Sequence, residues 1–171
     1  MRNCRNFGMA LFLIAGMMLV GRAYADVTAE AKKAIRTAYV QEDVATSKKD
    51  VKGLFAHYHP AWEMTVKSAK SETVMNLAQM KQSITQQLAT ITSITSKTTI
   101  QTFTSKGKDV LVRFKAHGDI VFADPQTQKP SRIVVDEVGE DTWTLSGKNW
   151  LKRKSKTLQQ SSTKDGKPIV P

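Results

Sequence analysis

The chain has 171 residues, 26 Lys and Arg against 15 Asp and Glu, one cysteine and a formal net charge of +11. That length is one domain's worth and buries enough surface for a core without staples. A lone cysteine, Cys4, excludes an intrachain disulfide and a thiolate metal site, and the basic balance favours anionic partners.

The N-terminus reads as an export signal. Arg2 and Arg5 precede an almost uncharged apolar run over 7–20, and Ala23-Tyr24-Ala25 then stands before Asp26. This is the pattern of a secretory signal peptide, 1–25, cleaved after Ala25. The apolar run is shorter than the roughly 20 residues that span a bilayer. The protein is therefore expected to be exported, to a periplasm or beyond the cell, as a single domain over 26–171 with a short polar tail. Cleavage takes Cys4, Arg2, Arg5 and Arg22 with it, leaving 23 basic against 15 acidic residues and a net charge of +8. An anionic envelope component fits that surface. Nucleic acid does not, since none is expected there and no nucleic-acid-binding motif is present.

Helices come first. Asp26 can cap a helix whose apolar positions Ala31, Ile35, Ala38 and Tyr39 share one face. Ser47-Lys48-Lys49-Asp50 has the form of a capping box before Val51, Leu54, Phe55 and Tyr58, and Pro60 ends that run. Trp62, Met64 and Val66 alternate as in a short strand. Asn76 and Gln79 can cap a third helix with Leu77, Met80, Ile84, Leu88 and Ile91 on its buried stripe.

Strands follow. Period-two, β-branched segments predict strands over 94–104, 109–123, 131–145 and 150–162, with turns at 106–109 and 146–149 and a loop over 124–130. In the second of these strands Val110, Val112, Phe114, Ala116, Ile120 and Phe122 fall on one face. The third is expected to bulge near Gly139, where its alternation slips. The order predicts an α+β fold, with three N-terminal helices packed on a curved antiparallel sheet.

At this point the chain resembles the NTF2-like superfamily, the cone-shaped domains of the SnoaL-like and ketosteroid-isomerase-like proteins. The resemblance rests on Ala34-Ile35 and Ala38-Tyr39, then Lys49-Asp50-Val51-Lys52-Gly53-Leu54-Phe55-Ala56 and Tyr58, leading to Trp62-Glu63-Met64. Near the end, Glu140-Asp141-Thr142-Trp143 and Ser146-Gly147-Lys148-Asn149-Trp150-Leu151 are similar to the superfamily's final hairpin. The resemblance implies a sheet wrapped round a long helix, a hydrophobic pocket inside the cone and frequent dimerisation through the outer face of the sheet. It implies no single chemistry.

Three sets of residues stand out. Tyr39, Phe55, Tyr58, Trp62, Met80 and Phe114 are the candidate lining of a pocket for a small apolar or amphipathic ligand. Asp136 shares its parity with Val134 and Val138, making it the inward carboxylate that an isomerase- or cyclase-like mechanism with a tyrosine would need. Lys148, Lys152, Arg153, Lys154 and Lys156 crowd the final hairpin, and Arg113 and Lys115 would join them if that hairpin lay beside 109–119. This basic strand is either an edge guarded by lysines or a docking face for an anionic partner, as in an envelope-assembly module. His57 and His59 diverge on a helix and lack a third ligand, so neither a metal nor any other cofactor is expected. The absence of a legible acid–base pair favours binding without catalysis.

Overall fold

The computed structural model describes residues 26–67 and 72–169; the expected signal segment lies outside them. The elements are α1 (Ala29–Ser47), α2 (Val51–Leu54), β1 (Tyr58–Lys67), β2 (Glu72–Asn76), α3 (Leu77–Thr90), β3 (Ile91–Lys106), β4 (Asp109–Ala123), β5 (Pro130–Ser146), β6 (Asn149–Lys164) and β7 (Lys167–Pro168). Together they make the expected α+β arrangement of helices on one curved sheet.

The sheet runs β2-β1-β6-β5-β4-β3, with β7 on β6. From β3 to β6 it is an antiparallel meander, as the short turns require. β1 then joins parallel to β6, so the sheet is mixed. The last hairpin, β5–β6, lies antiparallel beside β4 through β5, so Arg113 and Lys115 pair opposite Glu140 and Val138 and stand one strand away from the lysines of β6. Gly107, between β3 and β4, and Gly147, between β5 and β6, hold the left-handed backbone of the meander's two tight turns, at φ 67° and 61°.

Several boundaries move for local reasons. Thr28, not Asp26, caps α1, its hydroxyl accepting from the Ala31 N–H at 3.2 Å. Ser47 ends α1 rather than starting the next helix. Asp50 is the true cap of α2, accepting from the Gly53 N–H at 3.0 Å. α2 is a single turn, and β1 starts at Tyr58 and passes through Pro60. Its pairing with β6 jumps from Tyr58–Lys152 to Glu63–Lys154, which leaves Pro60 in an irregular stretch where no ladder donor is needed. The Asn76–Gln79 capping box forms in both directions, each bond 3.0 Å. β2 was not anticipated: five residues alone carry too little periodicity to register.

The irregularity expected near Gly139 lies on the neighbouring strand. Between β5 and β6, Val138 pairs with Gln159 and Gly139 with Thr157; farther along, Thr142 pairs with Lys154 and Trp143 with Lys152. Leu158 and Arg153 are therefore the extra residues of two bulges in β6. Gly139 serves a different purpose: a Cβ there would stand 2.5 Å from the Phe114 ring. Its bare backbone is the seat of that ring.

The core gathers where α1 crosses the sheet. Ala31, Ile35 and Ala38 from α1 meet Val110, Val112 and Trp143, with Phe103 and Trp150 packed at the edges. Asp43, farther along α1, ties the helix to the edge strand by accepting from the Thr98 N–H at 2.7 Å and the Ser96 hydroxyl at 2.7 Å. The C-terminal half of α1 stands over a part of the sheet that the core does not fill. There α3 closes over a cavity.

Candidate functional site

The cavity measures about 350 Å³ and is enclosed by α1, α2, α3, β1 and the inner faces of β3 to β6. All six residues expected to line a pocket, Tyr39, Phe55, Tyr58, Trp62, Met80 and Phe114, do line it. The five aromatic rings among them pack in two groups. Phe55 and Tyr58 are 5.0 Å apart, Tyr58 and Trp62 5.2 Å, and Tyr39 and Phe114 5.7 Å between centroids. Ile84, Leu88, Ile94 and Ile120 complete the apolar surface.

One group of charged side chains interrupts that surface. Lys152 is 4% exposed, and its Nζ donates to Glu42 Oε2 at 2.8 Å and lies 3.1 Å from Asp141 Oδ2. Its remaining direction meets the Tyr58 hydroxyl at 3.5 Å. Tyr39 donates to Asp141 Oδ2 at 2.6 Å and accepts from the Trp143 indole N–H at 3.3 Å. The ammonium also lies over the rings of Tyr39 and Tyr58, 4.9 and 4.7 Å from their centroids. Every donor of Lys152 is thus engaged.

Glu42 is less well served. Its Oε1 is buried and, among the described residues, has no hydrogen-bond partner. Burial pushes its carboxyl up to about 7, against the pull of Lys152, and the neighbouring charges of Asp141 and Asp43 add to the rise. Burial alone would discharge Lys152, but the two carboxylates outweigh it and hold the ammonium above its ordinary value. Burial likewise raises the phenols of Tyr39 and Tyr58, keeping both as donors. Farther along β5, Glu137 accepts from the Thr157 hydroxyl at 2.8 Å, and burial raises its carboxyl too.

Two expectations are corrected here. Asp136 points out of the cone, 2.8 Å from His117 Nδ1, with 64% of its side chain exposed. On β5 the inward parity is odd, carrying Glu137, Asp141 and Trp143, while Val134 and Val138 sit on the outer face with Asp136. Lys152 is not on the basic surface; the bulge at Arg153 turns it inward, whereas Lys148, Arg153, Lys154 and Lys156 stay exposed. Lys154 is paired with Glu63 at 2.6 Å.

The residues missed were Glu42 and Asp141. Glu42 lies three residues after Tyr39 and seven after Ile35, on the stripe that buries α1. A carboxylate in that position was the available signal. The histidines are occupied locally: His57 Nε2 lies 2.6 Å from Gln41 Oε1, and His59 Nδ1 accepts from the Ala61 N–H.

No family model matches the chain, and no curated protein matches it. Solved structures do. An NTF2-like protein of unknown function from Pseudomonas putida KT2440 is 12% identical, covers 77% of this chain and 88% of its own, and superposes with a TM-score of 0.58. A putative scytalone dehydratase from Novosphingobium aromaticivorans is 10% identical over 75% of this chain and 85% of its own, with a TM-score of 0.61. A type 2 hexachlorocyclohexane dehydrochlorinase is 10% identical over 83% and 94%, also with a TM-score of 0.61. Identities this low speak for architecture alone, and that architecture agrees with the element order and the cavity described above: the protein has the NTF2-like cone fold.

Proposed function

We propose that this is an exported protein that binds a small, mainly apolar molecule inside its cone without transforming it. The observation that carries this reading is a 350 Å³ cavity walled by aromatic and aliphatic side chains, with one buried carboxylate oxygen, Glu42 Oε1, lacking a partner. A ligand with a polar end would satisfy that oxygen while its apolar part covers the ring wall. Export rests on the N-terminal sequence pattern.

The test is displacement of a fluorescent apolar dye from purified protein by 1-octanol. Ile84→Trp, which fills the cavity from α3, should abolish both dye binding and displacement while the protein stays folded. Undiminished dye binding by Ile84→Trp would place the dye elsewhere and defeat the proposal.

A second reading is supported by one specific feature. Burial raises the Glu42 carboxyl to about 7 beside two phenols, the range a general acid–base group uses, and two fold neighbours bear the names of a dehydrochlorinase and a dehydratase. Turnover of any elimination or isomerisation substrate, lost in Glu42→Gln, would favour catalysis over binding.

A further inference from the structure

The cavity reverses the charge of the molecule that surrounds it. The chain as a whole carries a net charge of +11. Glu42, Asp43, Glu137 and Asp141 line the cavity, against Lys152 and the exposed Lys156. Of these, Asp43 is consumed by Ser96 and Thr98 on β3, and Asp141 by Tyr39 and Lys152. Lys152 has no donor left for an incoming anion. The buried acceptors have capacity left, since Glu42 Oε1 has no partner and Glu137 takes one hydroxyl, that of Thr157. Donors left in the cavity include the Tyr58 hydroxyl, which faces Lys152, and the exposed Lys156.

Resting on the reading of this cavity as a binding site, we infer that its ligand is an apolar molecule carrying a protonated amine, held at Glu42 and Glu137. The protein already shows how such a group is accommodated. Lys152 is an ammonium stripped of water, paired with two carboxylates and set over aromatic faces. Phe55, Trp62 and Phe114 offer further ring surface to a second cation in the same cavity. A carboxylate ligand would meet the opposite arrangement, facing Glu42 and Glu137 with no free donor from Lys152.

Binding of an ammonium favours the ionised form of Glu42, so it should expel a proton near neutral pH. The charged and titratable groups facing Glu42 are Lys152 on β6, Asp141 on β5, Tyr58 on β1, and Asp43 and Tyr39 on α1. Among these, the Glu42 carboxyl is the one raised to about 7.

Isothermal titration with octylamine, 1-octanol and octanoate tests the inference on the wild-type chain. Octylamine should bind at least about tenfold more tightly than 1-octanol, and octanoate most weakly. Octylamine affinity should rise from about pH 6 to about pH 8, with a heat that depends on the buffer's ionisation enthalpy, while 1-octanol affinity stays level. Glu42→Gln should cost octylamine at least about tenfold more than it costs 1-octanol, whose residual binding also reports that the variant is folded. Octanoate or 1-octanol binding as tightly as the amine would overturn the inference and leave the binding cavity standing. A level pH profile for the amine would overturn it too, whatever the folding of Glu42→Gln. Failure of all three ligands to bind would overturn both.

Discussion

Lys152 and Lys154 stand two residues apart on β6 and occupy opposite sides of the sheet. The side chain of Lys152 is 5% exposed and lies within 3.1 Å of two carboxylates. That of Lys154 is 57% exposed and meets one half-open carboxylate, Glu63. The same contrast runs through the rest of the sheet. Inside, charges share partners and are surrounded by rings; outside, His117–Asp136 and Arg132–Asp119 are cross-strand pairs on the solvent face of the sheet. An ion pair's energetic weight follows from what surrounds it, since removing a partner from a buried pair strands a charge that water cannot reach, whereas solvent replaces an exposed partner.

Truncating the two lysines separates the faces most sharply. Lys152→Met leaves Glu42 and Asp141 without their cation and should destabilise the fold by about 3–5 kcal/mol, the usual cost of breaking a buried pair from one side. Lys154→Met should leave the urea midpoint unchanged within error. If Lys152→Met unfolds at the wild-type midpoint, the cluster is not sealed from solvent, and the inner face behaves like the outer.

The next largest effect concerns pH. Glu42 is raised from its ordinary value of 4.5 to about 7 on folding, so between those values the native state holds a proton that the unfolded chain releases. Its contribution is fully present below about pH 4.5 and is lost as pH rises through 7. The loss is on the order of 3 kcal/mol for a shift of this size. The Glu42 contribution therefore makes wild-type stability fall from pH 5 to pH 8 in denaturant titrations at fixed temperature, and Glu42→Gln, which cannot titrate, should remove that slope. An identical slope in the variant would assign the proton to another group.

The sequence makes one of these faces far easier to read than the other. Regular periodicity located α1, α3 and β4, and with them Tyr39, Met80 and Phe114 of the cavity wall. Phe55, Tyr58 and Trp62 stood out by their apolar bulk, although the helix expected through Tyr58 is a single turn and β1 is irregular between Tyr58 and Glu63. The charged cluster depends on two interruptions. The bulge at Arg153 rotates Lys152 out of the row formed by Lys154 and Lys156, and nothing in a run of lysines marks where a strand gains a residue. On β5, Val134 and Val138 suggested that even positions face inward, but the outer face holds them beside Asp136, and Asp141 is buried because Lys152 and Tyr39 satisfy it. Parity alone cannot tell a satisfied carboxylate in a core from a solvated one on a surface.

Asp136 supplies the smallest effect and the sharpest test that the two faces are independent. It was the sequence's best candidate for an inward catalytic carboxylate, and it lies instead on the outer face in contact with His117. With 53% and 64% of the two side chains exposed, the pair belongs with surface ion pairs that contribute between nothing and about 1 kcal/mol. Asp136→Ala should therefore shift thermal unfolding by no more than a few degrees and leave octylamine and 1-octanol affinity at wild-type values. Combined with Glu42→Gln, its effect on stability should simply add, since the two sites share no partner. Non-additivity between Asp136→Ala and Glu42→Gln would mean that β5 transmits charge changes from one side of the sheet to the other. In that case the outer groove containing Lys97, Lys115 and His117 would have to be treated as part of the binding site.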